Sequence, residues 1–233
     1  MINANPQRIN RILIQKTNHQ DKKIENIIDI AKKNSLPFSF LPKEKFKKFE
    51  DYSHQGIVAY VSPVEYTELE DFLAKEKQYK KVVILDGVED PHNVGAIIRT
   101  CVCAGFDAII LPKHRASLIN ATVEKSSAGA VNHIDIICVN SLQNVITTLK
   151  NNDFWIIATV MSEADNYYDI DYTGMNFAII MGGENSGVSA TCVKNSDFRV
   201  RIPMYNDFNS LNVSNAAAII IYEAIRQIQK KKN

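Results

Sequence analysis

From Lys81 onward the chain repeats one pattern that few architectures can accommodate. Continuous apolar runs, VVILD at 82–86, AIIL at 108–111, IDIICV at 134–139, FWIIATV at 154–160, FAIIM at 177–181 and FRVRI at 198–202, alternate with segments of helical character. A strand with one wet face alternates apolar and polar residues; a strand that is apolar throughout is covered on both faces. Such strands separated by helices describe an α/β fold with a parallel sheet between helical layers. The stretch from Ser210 to Gln229 reads as a long closing helix.

The first 61 residues read differently. Segments 9–15, 37–41 and 56–61 have strand character, and 21–33 and 42–49 have helical character, a compact β-α-β-α-β module. It holds eleven Lys and Arg against six Asp and Glu, a net +5, whereas residues 62–233 hold 16 against 20, a net −4. The near-neutral total of +1 therefore hides a small basic module joined to a slightly acidic one. A basic module suits a phosphate-bearing partner, although a solvated lysine-rich face would look the same. Residues 62–80 are polar, opened by Pro63, and read as a linker with a short helix near 67–77. The expected organisation is 1–61, a linker over 62–80, and 81–233.

Several classes are excluded. The four cysteines contain no C-x-x-C pair, and the histidines at 19, 54, 92, 114 and 133 have no metal-ligand spacing, so no metal is expected. The longest apolar run, Ala216 to Tyr222, is far shorter than the roughly 20 residues of a membrane span. The first 16 residues lack the apolar segment of a signal peptide, and a cytoplasmic location is expected. Neither a G-x-G-x-x-G, a P-loop nor a G-x-S-x-G is present.

Three segments place glycines and polar residues directly after apolar strands, where α/β proteins bind ligands. In 85–106, Asn93 reads as the cap of a helix running to Ala104, with Arg99 six residues on and able to share its face, an arrangement suited to an anion. A plain cap and a surface ion pair would give the same residues. In 179–189, Gly182, Gly183 and Gly187 surround Glu184; glycines admit close backbone approach to a ligand, as they would in an ordinary turn. In 202–224, Ser210, Asn212 and Ser214 precede a wholly apolar helical stretch, so the polar first turn needs partners beyond a simple Ser210 cap.

Together these segments resemble the SPOUT methyltransferases, specifically the TrmH branch. The family's first motif, N-x-G-A-I-x-R-T, is matched by Asn93, Gly95, Ala96, Ile97, Arg99 and Thr100; the second, G-x-E-x-x-G, by Gly182, Glu184 and Gly187. The third is matched by Ile202, Pro203, Met204 and the run Ser210 to Ser214, with Asn206 where the family usually has glycine; Asn is the next residue to tolerate a left-handed turn. The nearest likeness is to the RlmB-type ribosomal RNA guanosine 2′-O-methyltransferases, through the run from Asp86 to Ala96 and through His54 to Ile57 at the end of a basic N-terminal substrate-binding domain. That domain usually opens with a helix; here eight residues precede the first strand.

The resemblance implies a trefoil knot, a homodimer, and S-adenosyl-L-methionine bound at Gly182, Ile202 and Leu211. It implies transfer of a methyl group to the ribose 2′-hydroxyl of a guanosine in 23S ribosomal RNA. The residues proposed for catalysis in the family map to Asn93, Arg99, Glu184, Ser210 and Asn212. Two alternatives stay open: a transfer-RNA 2′-O-methyltransferase of the same family, and an RNA-binding protein that has lost turnover.

Overall fold

A computed structural model of the chain describes residues 2–16, 21–50, 54–114, 116–206 and 210–232. His19 lies outside them. The chain divides into two compact units, 1–64 and 65–233.

The first unit is a three-stranded sheet. Strand β1 (Ile9–Gln15) runs parallel to β2 (Phe38–Leu41) and antiparallel to β3 (Ile57–Val61), in the order β2-β1-β3. Helix α1 (Lys22–Lys33) makes the crossover between the parallel pair, capped by Asp21, whose side chain accepts from the Lys23 amide at 3.1 Å. Its Ile28 and Ala31 are buried against Ile9, Ile12 and Ile14 of β1. A short helix α2 (Lys43–Phe46) follows β2 and buries Phe46. Arg8 is itself buried, its guanidinium donating to the Ser62 carbonyl at 2.8 Å, which ties the start of β1 to the end of β3.

The second unit carries seven parallel strands: β4 (Lys81–Asp86), β5 (Ala108–Pro112), β6 (Asp135–Val139), β7 (Phe154–Thr159), β8 (Asp165–Asn166), β9 (Asn176–Gly182) and β10 (Phe198–Arg201). Their order is β6-β5-β4-β9-β7-β10-β8, so β9 enters between β4 and β7. The two-residue β8 is too short and polar to announce itself in the sequence. Helices α3 (Leu69–Ala74), α4 (Pro91–Cys103), α5 (Ala121–Ser126), α6 (Leu142–Lys150), α7 (Ala190–Asn195) and α8 (Val213–Lys232) complete the unit.

On one face of the sheet, Val82, Ile84, Ala108, Ile110, Ile156 and Ile180 join Val145, Ile146 and Leu149 of α6 in a single buried cluster. Leu69 and Phe72 of α3 belong to that cluster, so residues 65–80, polar as they are, hold to this unit. Lys75 and Lys77 fasten them further, pairing with Asp135 and Asp107. The alternate strand residues, such as Val83, Ile109 and Ile179, are fully buried on the other side. There α4 and α8 lie against each other.

The closing helix begins at Val213 rather than near Ser210, and its apolar stretch is only half buried. Ala217, Ile220 and Ile221 are inside, while Ile219 and Tyr222 are 36% and 50% exposed. Among the described residues no helix is long and apolar enough to cross a membrane.

Candidate active site

Because β4, β7, β9 and β10 are parallel, they end on one edge of the sheet, and the loops that follow them meet there. They enclose a cavity of about 390 Å³, within the roughly 300–1,000 Å³ typical of small-molecule sites. Its walls are Thr159, Val160 and Met161 after β7; 182–187 after β9; Ile202 and Met204 after β10; and Ser210, Leu211, Asn212 and Val213 leading into α8. Apolar side chains dominate, with Glu184, Ser210 and Asn212 as convergent polar groups.

A chain of side-chain hydrogen bonds ties the three glycine- and asparagine-bearing segments together. Asn93 Nδ2 donates to Glu184 Oε1. Asn93 Oδ1 accepts from Asn212 Nδ2 at 3.0 Å. Asn212 Oδ1 then accepts from the Ser214 hydroxyl at 2.6 Å and the Ser214 amide at 2.9 Å. An amide has one donor end and one acceptor end, so this sequence of partners fixes the orientation of both asparagines.

The local reasons are legible in each segment. Pro91 favours the first helical position, where its missing N–H costs nothing, so Asp90 becomes the cap and accepts from the His92 amide at 2.8 Å. The expectation of Asn93 as the cap is therefore corrected: Asn93 is the third residue of α4, in its first turn, buried, with its amide turned towards Glu184. Capping of α8 falls to Asn212, not to Ser210, which leaves the Ser210 side chain on the cavity wall. At Gly182 the absence of a Cβ serves the loop itself, since a Cβ would stand 2.1 Å from the Gly187 carbonyl carbon. The loop is held to β4 by two bonds to Asp86: its carbonyl accepts the Gly183 amide at 2.9 Å, and its carboxylate accepts the Ser189 amide at 2.8 Å.

Of the residues singled out in the sequence, Gly182, Glu184, Ile202, Ser210, Leu211 and Asn212 line the cavity, and Asn93 braces it. Arg99 stands apart. Six residues of α-helix turn its side chain about 120° from Asn93, so the two do not share a face. Arg99 is exposed, and no described residue forms an ion pair with it. Asn206 does not adopt the left-handed backbone expected of it. The wall at 159–161 was not foreseen. Its one signal is position, at the end of an apolar strand, where Thr159 donates to the Ile180 carbonyl at 2.9 Å.

The nearby thiols are not nucleophiles: burial raises the Cys101 thiol, and pushes that of Cys192 up to about 11. Among the described residues no three His, Cys, Asp or Glu side chains gather as a metal site.

Comparison with known proteins places this geometry among relatives. The sequence profile of the SpoU rRNA Methylase family matches residues 80–222, and that for RNA 2′-O ribose methyltransferase substrate binding matches residues 1–67. A Staphylococcus saprophyticus protein carrying the name TrmH family tRNA/rRNA methyltransferase is 40% identical over 222 residues, 94% of this chain and 88% of its own. The SpoU methyltransferase AviRb from Streptomyces viridochromogenes, solved in complex with AdoMet, shares the fold. Its TM-score is 0.81 at 20% identity, over 100% of this chain and 88% of its own. The A. aeolicus TrmH/SpoU tRNA modifying enzyme is 34% identical with a TM-score of 0.61, over 69% of this chain and 81% of its own.

Proposed function

Because the chain belongs to the SpoU rRNA Methylase family, we propose that it transfers a methyl group from S-adenosylmethionine to a ribose 2′-hydroxyl of RNA. The target in this reading is a guanosine of 23S ribosomal RNA. The observation that carries the reading is the hydrogen-bonded chain Glu184–Asn93–Asn212, which gathers all three polar segments at the cavity. S-adenosylmethionine, when bound, supplies an activated methyl on a sulfonium, so the protein's work is to bind, orient and deprotonate.

The cavity fits such a group. Its largely apolar walls suit an adenosine-sized ligand, and polar side chains such as Glu184, Ser210 and Asn212 are available on them for its hydroxyls and charges. Gly182, Ile202 and Leu211 hold the cofactor from these walls. Arg99 grips the phosphate beside the target ribose. A guanidinium carries only donors and no acceptor, which makes it a clamp and not a base, and Arg99 has no competing partner among the described residues. Glu184, or a phosphate oxygen of the substrate, takes the hydroxyl proton, while Asn93 holds Glu184 in place. Ser210 and Asn212 would meet the ribose from the cavity wall, with Asn212 held in place by its bonds to Asn93 and Ser214.

In the same reading the chain is knotted as a trefoil, works as a homodimer and acts in the cytoplasm. Insertion of β9 between β4 and β7 supports the threading. Exposed Leu211, Ile219 and Tyr222 support a second subunit over the end of α8. A transfer-RNA substrate is the second reading, favoured by the A. aeolicus likeness. That likeness reaches only 69% of this chain, and the separate basic unit over 1–64 supports the ribosomal one.

The test is methylation of total RNA with labelled cofactor, followed by mapping of the modified nucleotide. Label at a guanosine 2′-oxygen of 23S RNA is the expected result; label in transfer RNA selects the second reading, and label in neither defeats both. Arg99→Ala is expected to abolish turnover while leaving cofactor affinity, read by calorimetry, unchanged. Lost cofactor affinity would move Arg99 out of the clamp role.

A further inference from the structure

We propose that one end of the small unit, bearing Lys16, Lys43, Lys45, Lys47, Lys48 and His54, is the surface that holds the phosphate backbone of the RNA substrate; this rests on the RNA methyltransferase reading above. The topology collects these residues. Strands β1 and β2 are parallel and end side by side, with the Lys16 amide donating to the Leu41 carbonyl at 2.8 Å. Lys43 to Lys48 follow directly from β2. β3 runs antiparallel to β1 and starts at this same end, just after His54.

The five lysines are exposed, and none is ion-paired to a described carboxylate. Within 43–50 the acidic residues are Glu44 and Glu50, against four lysines. The remaining arginines of the unit are spent internally: Arg8 on the Ser62 carbonyl and Arg11 on the Ser39 hydroxyl at 3.1 Å. Unpaired lysines are point charges on flexible stems, suited to phosphates rather than to bases.

The platform beneath them is anchored by a buried ring. Phe46 is 2% exposed and anchors the lysine run between Lys45 and Lys47. Its ring meets that of His54 at 5.1 Å and that of Phe49 at 5.7 Å. The Gly56 amide donates to His54 Nδ1 at 2.9 Å, which places the ring proton on Nε2 and leaves that atom as a donor. A fixed donor among mobile cations is the arrangement that registers a backbone while the charges supply affinity. The occupant is RNA rather than an anionic membrane: among the described residues of this end Phe40 alone is an exposed large hydrophobic, a single ring and not the broad apolar face that enters a bilayer, while Phe46 is inside and Phe49 lies under Lys48 at 4.8 Å.

The experiment uses the full chain and in vitro transcribed 23S ribosomal RNA. In a variant combining Lys43→Glu, Lys45→Glu, Lys47→Glu and Lys48→Glu, RNA affinity should fall by at least about tenfold. The slope of log affinity against log salt should lose roughly three units, since each phosphate contact contributes about 0.7–0.9. Melting temperature and S-adenosylmethionine affinity should not change. Lys32→Glu with Lys33→Glu, exposed at the opposite end of α1, is the control and should bind RNA like wild type. An unchanged slope in the fourfold variant, an equal loss in the control, or equally tight wild-type capture of phosphatidylserine vesicles overturns the proposal. Methylation by the wild-type chain is scored separately, so a patch that binds RNA in a protein that methylates none would fault the activity and not the patch.

Discussion

Asn93 holds two partners that lie about ninety and about one hundred and twenty residues away in the sequence, and neither could be replaced by solvent without loosening a wall of the cavity. Asn93→Ala is therefore expected to lower turnover about a hundredfold through misplacement of Glu184, with a small effect on melting temperature; single-turnover methylation and a thermal melt check it. The sequence marked Asn93 as functional and misjudged how. The Asp-Pro step at 90–91 already designated Asp90 as the cap, and that left the Asn93 amide free to reach Glu184. No local pattern could reveal the partner itself, since that contact depends on strands far apart in the chain. The cysteines give a second residue-level expectation. With its thiol pushed up to about 11 by burial, Cys192 is held as the thiol at pH 8. Cys192 and the buried Cys101 should resist iodoacetamide until denaturant is added, with exposed Cys103 as the internal reference in mass spectrometry.

At the level of elements, strands of the large sheet share a way of starting. Asp107 accepts the Lys81 amide at 2.8 Å, Asp197 accepts the Ile156 amide at 2.8 Å, and Asn176 accepts the Lys80 amide at 2.7 Å. In each case a residue at or just before the start of one strand accepts from an amide near the start of its neighbour. Asp197 also pairs with Lys150 of α6 at 2.6 Å, joining helix and sheet. Asp197→Ala leaves an inward amide without its partner and should cost about 1–3 kcal/mol, roughly 2–4 °C of melting temperature per kcal/mol for a chain of this size. Differential scanning calorimetry measures it. Five of the long strands were readable because a strand buried on both faces writes its burial as a largely apolar run; β10 differs, alternating buried Val200 with exposed Arg199 and Arg201, and is not the continuous apolar run expected at 198–202. The start of α8 was not, because Ser210, Asn212 and Ser214 are all good caps, and only the bond from Asn212 to Asn93 selects among them.

At the scale of the molecule, charge separates the two units: residues 1–64 carry the same net +5 as the basic module, and residues 65–233 the net −4. If the proposed homodimer forms through the exposed part of α8, the 26.2 kDa chain should scatter light as a particle of twice that mass. Tyr222→Glu, which places a carboxylate on a half-exposed apolar position, should return it to the monomer. If the cofactor sits in the proposed cavity of the second unit, removal of residues 1–64 should spare its binding and abolish methylation of the RNA substrate.

The place of β9 also sets a timetable. Val82 must wait for Ala178, which leaves the ribosome about 5–20 s later at ordinary elongation rates. Through that interval the middle of the sheet is an unfilled slot, and β4 presents an apolar edge to whatever is nearby. Newly made chains are thus most vulnerable to misassociation before synthesis ends, and a pause in translation between residues 90 and 175 would lengthen that exposure.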